Sequence, residues 1–171
     1  MRLKACAVFL VVFVLLASQL MAFNGLRKGF ILGGGVGGGY LTYEGVDKFS
    51  LATNFKIGYA PSNSFEIYYL NTVTWFGANS ETFINGLTGL GLTKYLNSEG
   101  RGFYLFGGVG AAVLQILASY GDSEVGFGFI GGVGYDISKH WSLQGDVLYT
   151  TFDSGSWHSL GVRVSVNFLA F

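Results

Sequence analysis

The chain has 171 residues, of which 50% are hydrophobic, 17% aromatic and only 12% charged, and its ten Lys/Arg balance ten Asp/Glu. That length suits one domain, and the lack of a basic excess argues against a nucleic-acid partner. A single cysteine rules out a small disulfide scaffold.

The first element in the chain is a leader. "MRLKACAVFLVVFVLLASQLMAFN" starts with Arg2 and Lys4, continues as an unbroken apolar run, and ends in Ser18, Gln19 and small Ala22. This is the order of a secretory signal peptide. Cleavage is placed after Ala22, giving a signal peptide over 1–22 and a mature domain over 23–171. Cys6 precedes the apolar run, so it is not a lipid-bearing cysteine. Losing Arg2 and Lys4 from the ten cations leaves eight against ten carboxylates, a net charge near −2. No later stretch approaches ~18 consecutive apolar residues, so no helix is expected to cross a membrane.

Period 2 then governs the chain. A first strand spans about 28–43 and includes "ILGGGVGGGY", in which Phe30, Leu32, Val36 and Tyr40 keep alternation through the glycines. In "FSLATNFKIGYA" (49–60), Phe49, Leu51, Phe55, Ile57 and Tyr59 oppose Ser50, Asn54, Lys56 and Gly58. In "FEIYYLNTVTW" (65–75), Phe65, Ile67, Tyr69, Val73 and Trp75 oppose Glu66, Tyr68, Thr72 and Thr74. Strands over about 82–95, 102–116 and 124–137 follow; the alternation of 82–95 is confused and assigns no faces. In "WSLQGDVLYTTF" (141–152), Trp141, Leu143, Val147 and Tyr149 oppose Ser142, Gln144, Asp146 and Thr150. In "SLGVRVSVNF" (159–168), Leu160, Val162, Val164, Val166 and Phe168 oppose Gly161, Arg163, Ser165 and Asn167.

Tight turns at Pro61–Ser64, Asn97–Gly100 and Ser138–His140 alternate with breaks near Glu44–Lys48, Gly77–Ser80, Ser119–Ser123 and Asp153–Ser156. The strands exceed the usual ~5–6 residues and suit tilted membrane strands, which need ~9–11. Aromatics gather at the strand ends: Phe30, Tyr59, Phe65, Tyr95, Phe103, Tyr135, Trp141 and Phe168 at one, Tyr40, Phe49, Trp75, Phe83, Tyr149 and Trp157 at the other. Two aromatic girdles around an apolar band mark a transmembrane barrel. Hydrocarbon leaves no partner for an unpaired backbone group, so strands without helices must close on themselves. The expected fold is all-β, an eight-stranded antiparallel up-and-down transmembrane β-barrel. A soluble lipocalin-like barrel would put the apolar face inside. Here the polar face carries the lone charges Lys56, Glu66, Asp146 and Arg163, which fit a narrow interior better.

The glycine runs acquire a role from this layout. "GGGVGG" and "GFGFIG" match G-x-G-x-x-G, but no helix follows either, as a dinucleotide site requires. The motif GGVG recurs with its valine outward at Val36, Val109 and Val133. Gly35, Gly37, Gly108, Gly110, Gly132 and Gly134 then face the lumen, where they relieve crowding and leave room for Tyr68, Tyr104 and Phe106.

The eight-strand layout, the hairpin "GVGYDISKHWSLQGDVLY" (133–149) and the aromatic end "GVRVSVNFLAF" resemble the small outer-membrane β-barrel superfamily of Gram-negative bacteria, the OmpA/OmpX- and opacity-protein-like barrels. The resemblance covers residues 27–171. It implies an outer-membrane location with both termini periplasmic, contact with outer-membrane lipids and lipopolysaccharide, and folding by the outer-membrane assembly machinery. The terminal aromatics Phe168 and Phe171 look like the family's assembly signal. Phe171 and Leu169 fall in phase with Arg163 rather than with Phe168, so either the strand ends at Phe168 or a bulge shifts its register.

Constellations for chemistry are sparse. Asp153, His158 and Ser159 lie close in sequence, but neighbouring strand residues point to opposite faces. "WHSLG" also lacks the His-x-Ser-Asn pattern of outer-membrane lipid A deacylases. No catalytic residue, metal site or cofactor is assigned. Around the loop near residue 155, antiparallel pairing sets Asp146 beside Arg163, predicting a lumen ion pair. A Thr150→Arg change at the lumen edge is expected to be mild beside Arg on the apolar face. On the rims, Glu44, Asp47, Glu81, Asp122, Glu124 and Asp153 oppose Lys48 at one end, and Arg27, Lys28, Lys94, Arg101 and Lys139 oppose Glu99 at the other. The expected function is a structural or surface barrel with a closed or nearly closed lumen and no enzymatic activity, open to a surface or host ligand of unknown kind. A narrow conduit or pocket for a small, hydrophobic molecule is the alternative, and a lipid-modifying enzyme stands behind it.

Overall fold

The computed structural model describes residues 27–43, 46–78, 81–117, 123–152 and 157–171. The leader over 1–22 lies outside them, as do Glu44, Asp122 and Asp153 of the acidic rim. The strands are β1 (Gly29–Tyr43), β2 (Val46–Ser62), β3 (Phe65–Ala78), β4 (Glu81–Tyr95), β5 (Phe103–Ile116), β6 (Ser123–Asp136), β7 (Trp141–Phe152) and β8 (Trp157–Ala170). Each pairs antiparallel with its neighbour, and β1 pairs with β8 to close the barrel. Closure leaves no edge strand with unpaired backbone groups.

The alternation seen in sequence becomes two surfaces. Val36, Leu51, Leu90, Val109, Val133, Val147 and Val164 are exposed on the outside. Glu66, Thr74, Asp146, Ser165 and Arg163 are buried inside. Exposure of 66% at Val36 and 2% at Arg163 is the reverse of a water-soluble barrel. Tyr59, Phe103, Tyr135, Trp141 and Phe168 form an outward belt at the mouth that carries Arg27 and Phe171, and Tyr40 and Phe49 stand outward near the other mouth.

β4 resolves what its sequence left open. Phe83, Asn85, Leu87, Thr93 and Tyr95 turn inward, while Leu90 and Leu92 turn outward. Tyr95 and Phe83 therefore do not belong to the girdles. Tyr95 is buried over a guanidinium, and Phe83 stacks on Phe76 inside the barrel, with ring centroids 5.4 Å apart. This part of the lumen is lined by apolar and polar groups alike, so polarity does not report the face.

The turns fix the registers. Pro61 lies where the β2–β3 pairing shifts between Tyr59 and Ser62, a place where a missing N–H costs no ladder bond. Gly100 has φ of 71°, and a Cβ there would run into the carbonyl of Asn63, so both its conformation and its surroundings require glycine. Its own carbonyl faces the lumen mouth and accepts a hydrogen bond described below.

Candidate functional site: the charged lumen

Side chains cross the lumen in successive sets. At the mouth that carries the β1 start and the β8 end, Arg27 is buried. Its Nε donates to Gly100 O at 2.9 Å, Nη1 to Glu66 Oε1 at 3.2 Å, and Nη2 to Asp136 Oδ2 at 2.7 Å. The guanidinium lies 4.1 Å from the Tyr95 ring centroid and 4.7 Å from that of Phe171. Lys56 Nζ reaches the other Glu66 oxygen at 3.0 Å and lies 5.0 Å from the Tyr68 ring. One fully buried carboxylate thus serves two cations. Such charge-assisted bonds offset the loss of water around each group.

Further in, Tyr104, Phe106 and Leu70 occupy space that glycines leave. A Cβ at Gly134 would run into Tyr104, one at Gly108 into Leu70, and one at Gly132 would come 2.8 Å from Phe106. Cβ atoms at Gly35 and Gly37 would run into Asn167 and Ser165, and one at Gly110 into the backbone of β4. Tyr104 Oη donates to Ser142 Oγ at 3.0 Å, and Thr93 Oγ1 donates to Tyr68 Oη at 3.0 Å. Between these rings and Lys56, Asn54, Gln144 and Asn167 lies a cavity of about 50 Å³. One water needs roughly 10–15 Å³ on that measure, so a few waters fit and a metabolite does not.

The next set joins β7 and β8. Asp146 and Arg163 are direct register partners. Arg163 Nε donates to Asp146 Oδ1 at 2.7 Å, and Nη2 lies 2.7 Å from the same oxygen. Nη1 donates across the lumen to Thr72 Oγ1 at 2.9 Å and Thr74 Oγ1 at 3.0 Å. Gln144 Nε2 reaches the second Asp146 oxygen at 3.4 Å.

Beyond it, Asn85, Thr150 and Ser159 form a buried triangle, with Asn85 Nδ2 donating to Ser159 Oγ at 2.6 Å and Thr150 Oγ1 2.7 Å from Ser159 Oγ. Thr150 has no exposed surface. An arginine there would have to displace this triangle, so the mild effect expected for Thr150→Arg gives way to a severe one. Leu41, Phe76, Phe83 and Phe152 fill the far end with apolar groups.

The structure brings all four lumen charges singled out in sequence into ion pairs, and adds two that sequence reasoning placed differently or passed over. Arg27 was expected on the rim and is instead the hub of the mouth. Asp136 is in phase with Gly134 and Gly132, which was a usable sign of its inward aim. Ser159 is in phase with Arg163 and Ser165 and carried the same sign, whereas Asn85 lies on β4, whose alternation assigns no faces. His158 is exposed and stacks on Tyr149 with centroids 6.4 Å apart, whereas Ser159 is buried, so the two face opposite ways. His140 Nδ1 lies 2.8 Å from Leu169 O, and its ring contacts both Phe168 and Phe171. Phe168 is outward, while Leu169 and Phe171 are buried. β8 runs to Ala170 without a break in pairing to β1, so Phe171 keeps the phase of Arg163 without a bulge.

No family model matches the sequence, and no curated protein does. Solved structures do match. Neisserial surface protein A aligns with 83% of this chain and 97% of its own, at 14% identity and a TM-score of 0.57. Ail, the attachment invasion locus protein of Yersinia pestis, covers 83% of this chain and 99% of its own, at 12% identity and a TM-score of 0.58. The N-terminal β-barrel domain of Pseudomonas aeruginosa OprF covers 82% and 98%, at 15% identity and a TM-score of 0.50. The chain therefore has the fold of the small eight-stranded outer-membrane β-barrels.

Proposed function

We propose that this chain is a structural or surface barrel of the Gram-negative outer membrane, exported by a signal peptide over 1–22, with both termini periplasmic and a lumen that passes no solute. The observation that carries this reading is the inversion of polarity: a continuous apolar exterior around an interior crossed by paired charges, a polar triangle and an apolar plug. That series among the described residues supports a closed lumen, and the small cavity near Tyr68 does not favour a binding pocket for a larger molecule. The exposed carboxylates Asp47, Glu81 and Glu124 would meet lipopolysaccharide phosphates through divalent cations. Ail has been solved with the heparin analogue sucrose octasulfate; an acidic rim has the wrong sign for a polysulfate, so a surface ligand here would be of a different chemistry.

The test is fractionation with functional readout. The chain should be recovered in the outer membrane, shift its gel mobility on heating, and give negligible conductance in planar bilayers. A monodisperse detergent-free periplasmic protein would sink the location, and a large steady conductance would sink the closed lumen and favour the conduit. Val147→Arg and Val164→Arg place a cation on the exterior, and each should cost about 2–4 kcal/mol if that surface meets the bilayer midplane. Urea titration of the barrel refolded in lipid vesicles reads this directly, and a loss under about 0.5 kcal/mol at both sites would contradict a lipid-facing wall.

A further inference from the structure

The mouth that carries Arg27 and Phe171 is rimmed by four exposed cations, Lys28, Lys94, Arg101 and Lys139. None has an ion-pair partner among the described residues. Lys94 Nζ reaches only Ser64 Oγ, at 3.1 Å. Glu99 is the exposed carboxylate described on that rim; Glu66 and Asp136 lie inside, held by Arg27. The opposite rim exposes Asp47, Glu81 and Glu124. The barrel is therefore electrically polar along its axis.

Lys28 precedes β1, Lys94 ends the outward face of β4, Arg101 lies between β4 and β5, and Lys139 between β6 and β7. Lys28 N donates to Asn63 Oδ1, Lys94 Nζ reaches Ser64 Oγ, and Gly100 beside Arg101 packs on Asn63, so three of the four adjoin the β2–β3 turn and Lys139 stands apart in an uneven ring. The surface that meets such a rim on a membrane-spanning barrel is the headgroup plane around it. Lys94 strengthens this geometry. It shares its face with Leu90 and Leu92, and its register partners are Phe65 and Leu105, so its ammonium leaves an apolar wall. The outward belt of Tyr59, Phe103, Tyr135, Trp141 and Phe168 lies at the same end. Aromatic belts sit at headgroup depth, and a lysine stem can lie along apolar surface while its ammonium reaches a phosphate.

We propose that this ring binds the headgroups of anionic phospholipids in the leaflet around that mouth. The proposal rests on the membrane-spanning reading, but not on which membrane is crossed or in which direction. Attraction of one Lys or Arg to an anionic leaflet amounts to about a fivefold preference, and it weakens over a Debye length of about 10 Å at 0.1 M salt.

The test reconstitutes the mature chain into phosphatidylcholine bilayers containing a minority of phosphatidylglycerol. Spin-labelled versions of the two lipids report which one occupies the first shell around the barrel. The wild type should select phosphatidylglycerol severalfold at low salt and lose that selection as salt rises. A variant carrying Lys28→Gln, Lys94→Gln, Arg101→Gln and Lys139→Gln should show a ratio near one. Lys94→Gln alone should give the largest single drop, and Glu99→Gln should not reduce the ratio. All these side chains are exposed and outside ion pairs, so the variants should keep the heat-dependent gel shift that reports folding. A wild type that inserts without selecting the anionic lipid overturns the proposal, as does selection that survives in the fourfold variant. A chain that fails to insert into bilayers overturns the membrane-spanning reading itself, and the two failures are distinct.

Discussion

Replacing either Asp146 or Arg163 by alanine should destabilise the folded barrel by about 3–5 kcal/mol, the range for stranding one member of a buried ion pair. Asp146→Ala leaves the Arg163 guanidinium with only the hydroxyls of Thr72 and Thr74. Arg163→Ala leaves the Asp146 carboxylate with Gln144 at 3.4 Å. The double variant removes both charges and should cost clearly less than the two losses added together. Urea titrations of all four proteins in lipid vesicles give the coupling directly. Additive losses would mean that each group is independently solvated and that the lumen is wetter than its packing implies. From sequence alone, the double variant is expected to conduct ions better. The structure removes that expectation, because the Arg27 cluster and the apolar end at Leu41, Phe76 and Phe152 lie in series with the pair. Conductance should stay low in the double variant, and a rise to a steady open level would contradict the series arrangement.

Glu66→Gln should produce the second large effect, again about 3–5 kcal/mol. The amide keeps the shape of the side chain but leaves Arg27 and Lys56 with Asp136 as the remaining nearby anion. Lys56 is 21% exposed, so part of its charge is screened by water and its share of the loss is smaller. Arg27 lies deeper but keeps Asp136 at 2.7 Å and the Gly100 carbonyl, so the loss should fall toward the lower end of that range. Adding Lys56→Met to Glu66→Gln removes one stranded cation and should recover part of the stability. No recovery in the paired variant would show that Lys56 draws its stabilisation from Tyr68 and water rather than from Glu66.

What could be read in the sequence was whatever alternation carries. On β2, β3, β7 and β8 the charges Lys56, Glu66, Asp146 and Arg163 mark the inside, because an apolar exterior on one side and a narrow lumen on the other leave charges only one tolerable face, while uncharged Thr53 faces outward. The pairing of Asp146 with Arg163 was legible for the same reason, since a short connection between β7 and β8 fixes the register to within about a residue. β4 escaped this logic. Leu87 and Tyr95 are as apolar as the outward Leu90 and Leu92, and only the identity of what they pack against separates the faces. Arg27 escaped it as well. It precedes β1, so it has no strand phase, and its aim is set by Gly100, Glu66 and Asp136 from distant parts of the chain. Period 2 is local information, and a lumen cluster assembled from four separate segments is not.

The direct opposition of Asp146 and Arg163 also acts as a proofreading device for β-sheet pairing. A slip of one residue between β7 and β8 would turn one strand's whole set of side chains to the other surface. Arg163 or Asp146 would then face hydrocarbon, and the valines opposite would enter the lumen. A slip of two residues keeps the faces but draws the charges apart by about 7 Å, leaving both buried and unpaired. Only the observed register satisfies both strands, so misaligned closures are penalised at the hairpin whose second strand also seals the wall against β1.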